Sequence, residues 1–152
     1  MPRPCIANSS PGIRRSVPSS PSEPRWVTAE TVIAINEYEV AATGEPFIVL
    51  DRGKLDGALG RPINLFEYEG VEDVLTLAVA LLMAIAKAHA FAQGNKRTAY
   101  FAAGVFMRAN GFDLQIEDHE GFGALITAAV AGQIEPKDLE EAFASYVYLV
   151  GE

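Results

Sequence analysis

Eleven consecutive residues, His89-Ala90-Phe91-Ala92-Gln93-Gly94-Asn95-Lys96-Arg97-Thr98-Ala99, bring an imidazole, a glycine turn and two cations together. These residue types suit transfer of a phosphoryl or nucleotidyl group onto a hydroxyl. Such a reaction needs a base for the hydroxyl proton and fixed positive charge for the phosphates. Histidine accepts a proton near neutral pH, and base assistance of this kind is typically worth ~10² to 10⁴ in rate. Gly94 permits close approach of a phosphate and Asn95 can cap a helix and donate an amide. Lys96 adds a point charge and Arg97 a bidentate fork.

Taken singly, each residue also has a plain structural use: a histidine ending a helix, a Gly-Asn junction, solvated cations in a first turn. Their ordered spacing is what points to chemistry. Two cations at the positive end of a helix are unfavourable there by roughly 0.3 to 1 kcal/mol each, a reason to look for an anion that offsets them. The unpaired N–H groups of that first turn would join them in holding it.

The elements that must position these groups read as helices. Thr28 is an N-cap for a helix to about Ala42 carrying Val32, Ile35 and Val40, and Gly44-Glu45-Pro46 ends it. Residues 46–70 mix a short β-like run, Phe47 to Leu50, with turn residues and a one- or two-turn helix over Lys54 to Leu59. Arg61-Pro62 is expected to stop that helix, leaving the region as a mobile flap. A helix from about Val71 to Ala88 is apolar on nearly every side between Val74 and Ala86, which places it in the middle of the fold. His89 then hangs from its end.

Asn95 opens the next helix, to about Asn110, with Gly111 as its C′ residue. A helix over His119 to Val130 starts at the Asp118 cap, and Pro136 begins a last one expected to reach about Leu149. His119 is read as capping material in preference to a metal ligand. Trp26, Tyr38, Tyr146 and Tyr148 are assigned to the core or its edge.

At 152 residues and 49% hydrophobic, the chain can fill the core of one ordinary domain. Residues 1–25 are Pro- and Ser-rich, with four arginines against Glu23, and read as a disordered tail; residues 26–152 form the domain. The net charge of −8 argues against direct nucleic-acid binding, which requires phosphate neutralisation by Lys and Arg. Cys5 alone allows neither an internal disulfide nor a multi-cysteine metal site, which fits a reduced cytoplasm. The longest apolar run, Val74 to Ala86, is 13 residues, short of the roughly 20 a membrane-crossing helix needs.

The motif resembles the His-x-Phe-x-(Asp/Glu)-Gly-Asn-Gly-Arg signature of the Fic superfamily, and its Asn-Lys-Arg-Thr-Ala form is similar to the death-on-curing (Doc) branch. Gly44-Glu45-Pro46, Asp51-x-Gly53-x-Leu55 to Ala58, Arg61-Pro62 and Asn110-Gly111 extend the resemblance. It implies an all-α helical bundle with the motif loop between two core helices and a flap, here residues 46–68, that aligns the target. It further implies that His89 is the catalytic base, Phe91 the loop's anchor, Gly94 and Asn95 the phosphate-contacting turn, and Arg97 the phosphate clamp. Lys96 stands where AMP-transferring members have glycine, and Tyr100 where they have a second arginine, as in Doc-like members.

The implied activity is transfer of the γ-phosphate of ATP to a hydroxyl of a translation factor such as elongation factor Tu. Two alternatives stay open: AMP transfer to a protein hydroxyl, and a binding module without catalysis. The second arises because Gln93 replaces the acid that would hold Mg²⁺, and a neutral carbonyl is a poorer ligand for a hard cation than a carboxylate. The family's inhibitory Ser/Thr-x-x-x-Glu-Gly/Asn string is not found, so the resemblance implies control by a small antitoxin with a disordered C-terminal segment.

Overall fold

The computed structural model describes residues 23–151. The tail, apart from residues 23–25, and Cys5 lie outside the described residues. Six helices and one small two-stranded sheet follow in order: α1 (Ala29–Ala42), α2 (Arg52–Glu69), α3 (Val74–Ala88), α4 (Asn95–Ala109), β1 (Phe112–Leu114), α5 (His119–Val130), α6 (Pro136–Ala144) and β2 (Val147–Leu149). The expected all-α class holds.

α3 is the axis of the bundle and packs against α2, α4, α5 and α6. Leu77, Ala78, Val79, Leu81, Leu82, Met83, Ile85 and Ala86 are all buried, so its apolar surface meets neighbours around most of its circumference. Asp73 caps it by accepting from the Thr76 N–H, so the helix starts at Val74, with the apolar run, and not at about Val71 as expected. α4 packs on α3 and buries the small side chains of Ala99, Ala102 and Ala103 together with Phe106. α1 turns Val32, Asn36 and Val40 inward, residues four apart that share one helix face. Tyr38 therefore points out and is 73% exposed, contrary to its assignment to the core. Tyr146 and Tyr148 are also exposed and only edge the fold, whereas Trp26 stacks on Phe106 with ring centroids 5.7 Å apart.

α2 overturns the expected stop at Arg61-Pro62 and the flap that went with it. The helix runs through Pro62 for 18 residues. Leu55, Ala58 and Pro62 are buried, with Leu59, Leu65 and Phe66 partly so, and this apolar stripe packs on α3. Its burial outweighs the lost hydrogen bond and the proline ring's conflict with the preceding turn. The irregular segment is reduced to residues 45–51, between α1 and α2. The β-like run within it makes a single bridge, Val49 to Phe91.

The last helix also ends early, at Ala144, because Val147–Leu149 is taken up as a strand. β2 pairs antiparallel with β1, Phe112 opposite Leu149 and Leu114 opposite Val147. Aromatic and β-branched residues favour this over a helix. At the same end of α4, the Asn110 side chain accepts from the Arg25 N–H at 2.8 Å and donates to the Arg25 carbonyl at 3.0 Å.

Burial separates two aromatic substitutions sharply. Phe106→Ala is expected to cost about 3–5 kcal/mol in denaturant unfolding, and Tyr38→Ala to fall within about 0.5 kcal/mol of the native protein.

Candidate functional site

The chain has six residues, 89–94, in which to turn from α3 into α4. His89 makes the first move as the C-cap of α3, with φ 50° and ψ 44°. It is the one non-glycine residue with positive φ among the described residues. That left-handed conformation costs an L-residue roughly 1–2 kcal/mol and sends the chain away from the helix axis. The imidazole stands exposed at the end of the best-buried helix.

Phe91 anchors the turn, its ring buried to 1% exposure. Asn95 brackets the Phe91 backbone: its Oδ1 accepts from the Phe91 N–H at 3.1 Å and its Nδ2 donates to the Phe91 carbonyl at 2.8 Å. The side-chain amide of Asn95 is thus occupied in shaping the loop, which corrects the expectation that it caps α4 and donates to a phosphate. The cap position belongs to Gly94, with φ 74°. A Cβ there would lie 3.2 Å from Val40 Cγ1 and 3.3 Å from Asn36 Nδ2, so both space and backbone favour glycine. The segment before α2 braces the loop from outside: Leu50 N–H donates to the Ala90 carbonyl at 2.8 Å and Ala92 N–H to the Ile48 carbonyl at 3.0 Å.

His89, Gln93, Gly94, Lys96 and Arg97 line one open cleft of about 270 Å³, joined by Glu45. The backbone N–H groups of Gly94, Asn95, Lys96 and Arg97 have no acceptor among the described residues, as the first turn of a helix dictates; the first bond of α4 runs from Thr98 N–H to the Gly94 carbonyl. Lys96 is exposed and has no ion-pair partner among the described residues. Arg97 is held. It donates to the Glu39 carbonyl at 3.2 Å and to the Thr43 hydroxyl at 3.1 Å, and forms an ion pair with Glu45. The Thr43 hydroxyl, and then the Arg97 guanidinium, hold the Glu45 carboxyl below the usual carboxylate range. A carboxylate therefore stands against the guanidinium, and sequence reasoning missed it. The one available signal was Glu45 itself, the acid in the Gly-Glu-Pro break after α1.

A second cavity of about 430 Å³ adjoins the cleft through Lys96 and Arg97. Tyr100, Phe101, His119 and Ile126 form its apolar walls. Burial pushes the Tyr100 hydroxyl pKa up, and the Tyr100 ring meets His119 edge-on at 5.8 Å. His119 is the first residue of α5, which Asp118 caps through the Gly121 N–H. Among the described residues, no group of three or more His, Cys, Asp or Glu side chains gathers to hold a metal ion.

Residues 26–107, from Trp26 through most of α4, match the model of the Fic/DOC family. The chain belongs to the Fic/DOC family. It is 30% identical over 110 residues to "Protein kinase doc" of Escherichia phage P1, covering 72% of this chain and 86% of that protein. It is 39% identical over 74 residues to "Toxin Doc" of Mycolicibacterium smegmatis, covering 48% of this chain and 57% of that protein. These relatives put it on the Doc branch. The Fic/DOC match takes in the whole motif loop and Glu45 but stops short of α5, which supplies His119 and Ile126 to the second cavity.

Two measurements test this geometry. Gly94→Ala should destabilise the fold by at least about 1 kcal/mol through its left-handed backbone, read by denaturant unfolding. Because the Glu45 pKa is depressed in the fold, its contacts with Thr43 and Arg97 contribute stability above the ordinary carboxylate pKa. That contribution is lost as pH falls through the depressed value. Native protein should therefore melt higher than Glu45→Gln at pH 7, and the two melting curves should converge in acid.

Proposed function

We propose that this Fic/DOC chain is a Doc-like toxin that transfers the γ-phosphate of ATP to a hydroxyl of a protein target. The observation that carries the reading is His89: an exposed imidazole on a strained, left-handed backbone, on the same cleft as unpaired helix amides, Lys96 and Arg97. Strain of this kind persists only where surrounding structure enforces it, and it is concentrated at functional sites. The printed names of the two relatives, one a kinase and one a toxin, support the same reading.

In this mechanism the polyphosphate lies on the N-terminus of α4, where the N–H groups of Gly94 to Arg97 and the Lys96 ammonium offset its charge. Arg97 reaches it by exchanging Glu45 for phosphate. His89 takes the proton of the target hydroxyl as its oxygen attacks the γ-phosphorus; the bond to the β–γ bridging oxygen breaks and ADP leaves. The nucleoside fits the neighbouring cavity, against Tyr100, Phe101 and Ile126. Residues 46–50, with Phe47, Ile48 and Leu50 exposed beside the motif loop, present a surface for aligning the target segment.

The residues around the cleft do not fit a magnesium cage. Gln93 offers one neutral carbonyl and Glu45 is committed to Arg97, so no step is assigned to a protein-held Mg²⁺. The metal enters this reading only on the nucleotide's own phosphates.

A translation factor such as elongation factor Tu is the proposed target, and a small antitoxin whose C-terminal segment folds on binding is the proposed partner. No helix of the described residues is long and apolar enough to cross a membrane. A cytoplasmic site of action follows from the proposed target.

Incubating the protein and elongation factor Tu with ATP labelled at either the γ or the α position tests the reaction. Label from the γ position should appear on the factor, and His89→Ala should slow it by ~10² to 10⁴. Label from the α position would replace phosphate transfer by AMP transfer. ATP binding with neither label transferred would leave a binding module, and a gain of activity in Gln93→Asp would trace that loss to the missing carboxylate.

A further inference from the structure

Asn36 is a polar residue in the middle of α1, fully buried between Val32 and Val40. Both hydrogens of its amide are used: Nδ2 donates to the Gln93 backbone carbonyl at 2.8 Å and to the Thr98 hydroxyl at 3.0 Å. Its Oδ1 is buried and has no partner. The orientation of the amide is fixed by chemistry, because the Gln93 carbonyl can only accept and must face the NH₂ group. An unpaired buried acceptor costs stability. What α1 gains in return is a donor directed at one carbonyl of the motif loop.

That carbonyl is the one whose direction matters. In a trans peptide the C=O of one residue and the N–H of the next point opposite ways. Drawing the Gln93 carbonyl toward α1 turns the Gly94 N–H away from α1. In an ordinary helical continuation the Gln93 carbonyl would accept from the Arg97 N–H, four residues on; here it accepts from Asn36, and the Arg97 N–H stays unpaired as well. One side-chain amide therefore frees and aims two backbone donors. Gly94 tolerates the resulting left-handed turn, and the close packing of Asn36 Nδ2 against the Gly94 position locks the two together.

We infer that Asn36 is a positioning residue for phosphate: by holding the Gln93 carbonyl it aims the Gly94 amide into the cleft and keeps the Arg97 amide available to an anion. The inference rests on the phosphate seat proposed above and adds a residue that lies well outside the motif. Thr98 serves as the internal control, since it shares the Asn36 amide without touching the Gln93 carbonyl.

Inorganic triphosphate is the probe, with calorimetry for affinity, ¹⁵N-resolved NMR for the Gly94 amide and thermal melting for the fold. Asn36→Leu, similar in shape, removes the orphaned oxygen but leaves the Gln93 carbonyl and the buried Thr98 hydroxyl without their donor, so the melting temperature should stay close to that of the native protein. The variant should weaken triphosphate binding by roughly tenfold and abolish the ligand-induced shift of the Gly94 amide. Thr98→Val should bind as the native protein does. Native-like binding in Asn36→Leu, or an equal loss in Thr98→Val, overturns the inference. If the native protein binds no triphosphate, the phosphate seat itself fails; a Gly94 amide resonance identical in native and Asn36→Leu proteins without ligand then overturns the positioning role too. Should Asn36→Leu not fold, Asn36→Ser, too short to reach Gln93, is read in the same way.

Discussion

Everything at the site depends on how the backbone of one loop is held while its polar groups are kept out of secondary structure. The Phe91 peptide is gripped on both sides by the Asn95 amide, its ring is buried, and neighbouring residues pair with the segment before α2. A loop of six residues would otherwise sample many conformations, and a base placed on it would be poorly aimed. Side-chain amides carry the restraint here, which leaves the backbone amides of the first turn of α4 free for another partner.

α1 is the second wall of that construction. It contributes Val40 and Asn36 against Gly94, the Glu39 carbonyl against Arg97, and, just past its end, Thr43 and Glu45. The loop is thus shaped by a helix some fifty residues earlier in the chain. Glu45 also gives the cleft an internal counter-charge: of two cations at the positive end of α4, one is neutralised within the protein and one is left to solvent or ligand. The sequence argument that an anion should be found there was right in kind, and the chain supplies part of it from itself.

The parts of the fold legible in the sequence were those set by local pattern. Thr28 and Asp118 are caps, Gly111 ends α4, and the apolar run of α3 lies at the centre, because capping and periodicity are decided within a few residues. The departures come from contacts between distant segments. Pro62 sits inside α2 because the stripe on either side packs on α3, and the end of the chain becomes β2 because β1 offers a partner. Tyr38 was misplaced by ignoring which face Val32, Asn36 and Val40 define. At the site, His89, Lys96 and Arg97 of the motif line one cleft. Asn36 and the Phe101 cavity carry no local signature, and Glu45 only that of an acid in the break after α1, since their roles exist only once α1, α4 and α5 have met.

The described chain enters and leaves the fold at the same place. Arg25 is clipped to Asn110, and β2 closes on β1 immediately after Gly111, so both ends are fastened to the C-terminal end of α4. α4 spans roughly 20 Å from there to the cations at its other end. A segment grafted next to Arg25 or onto β2 would begin at the opposite end of α4 from Lys96 and Arg97, and would have to double back to obstruct them.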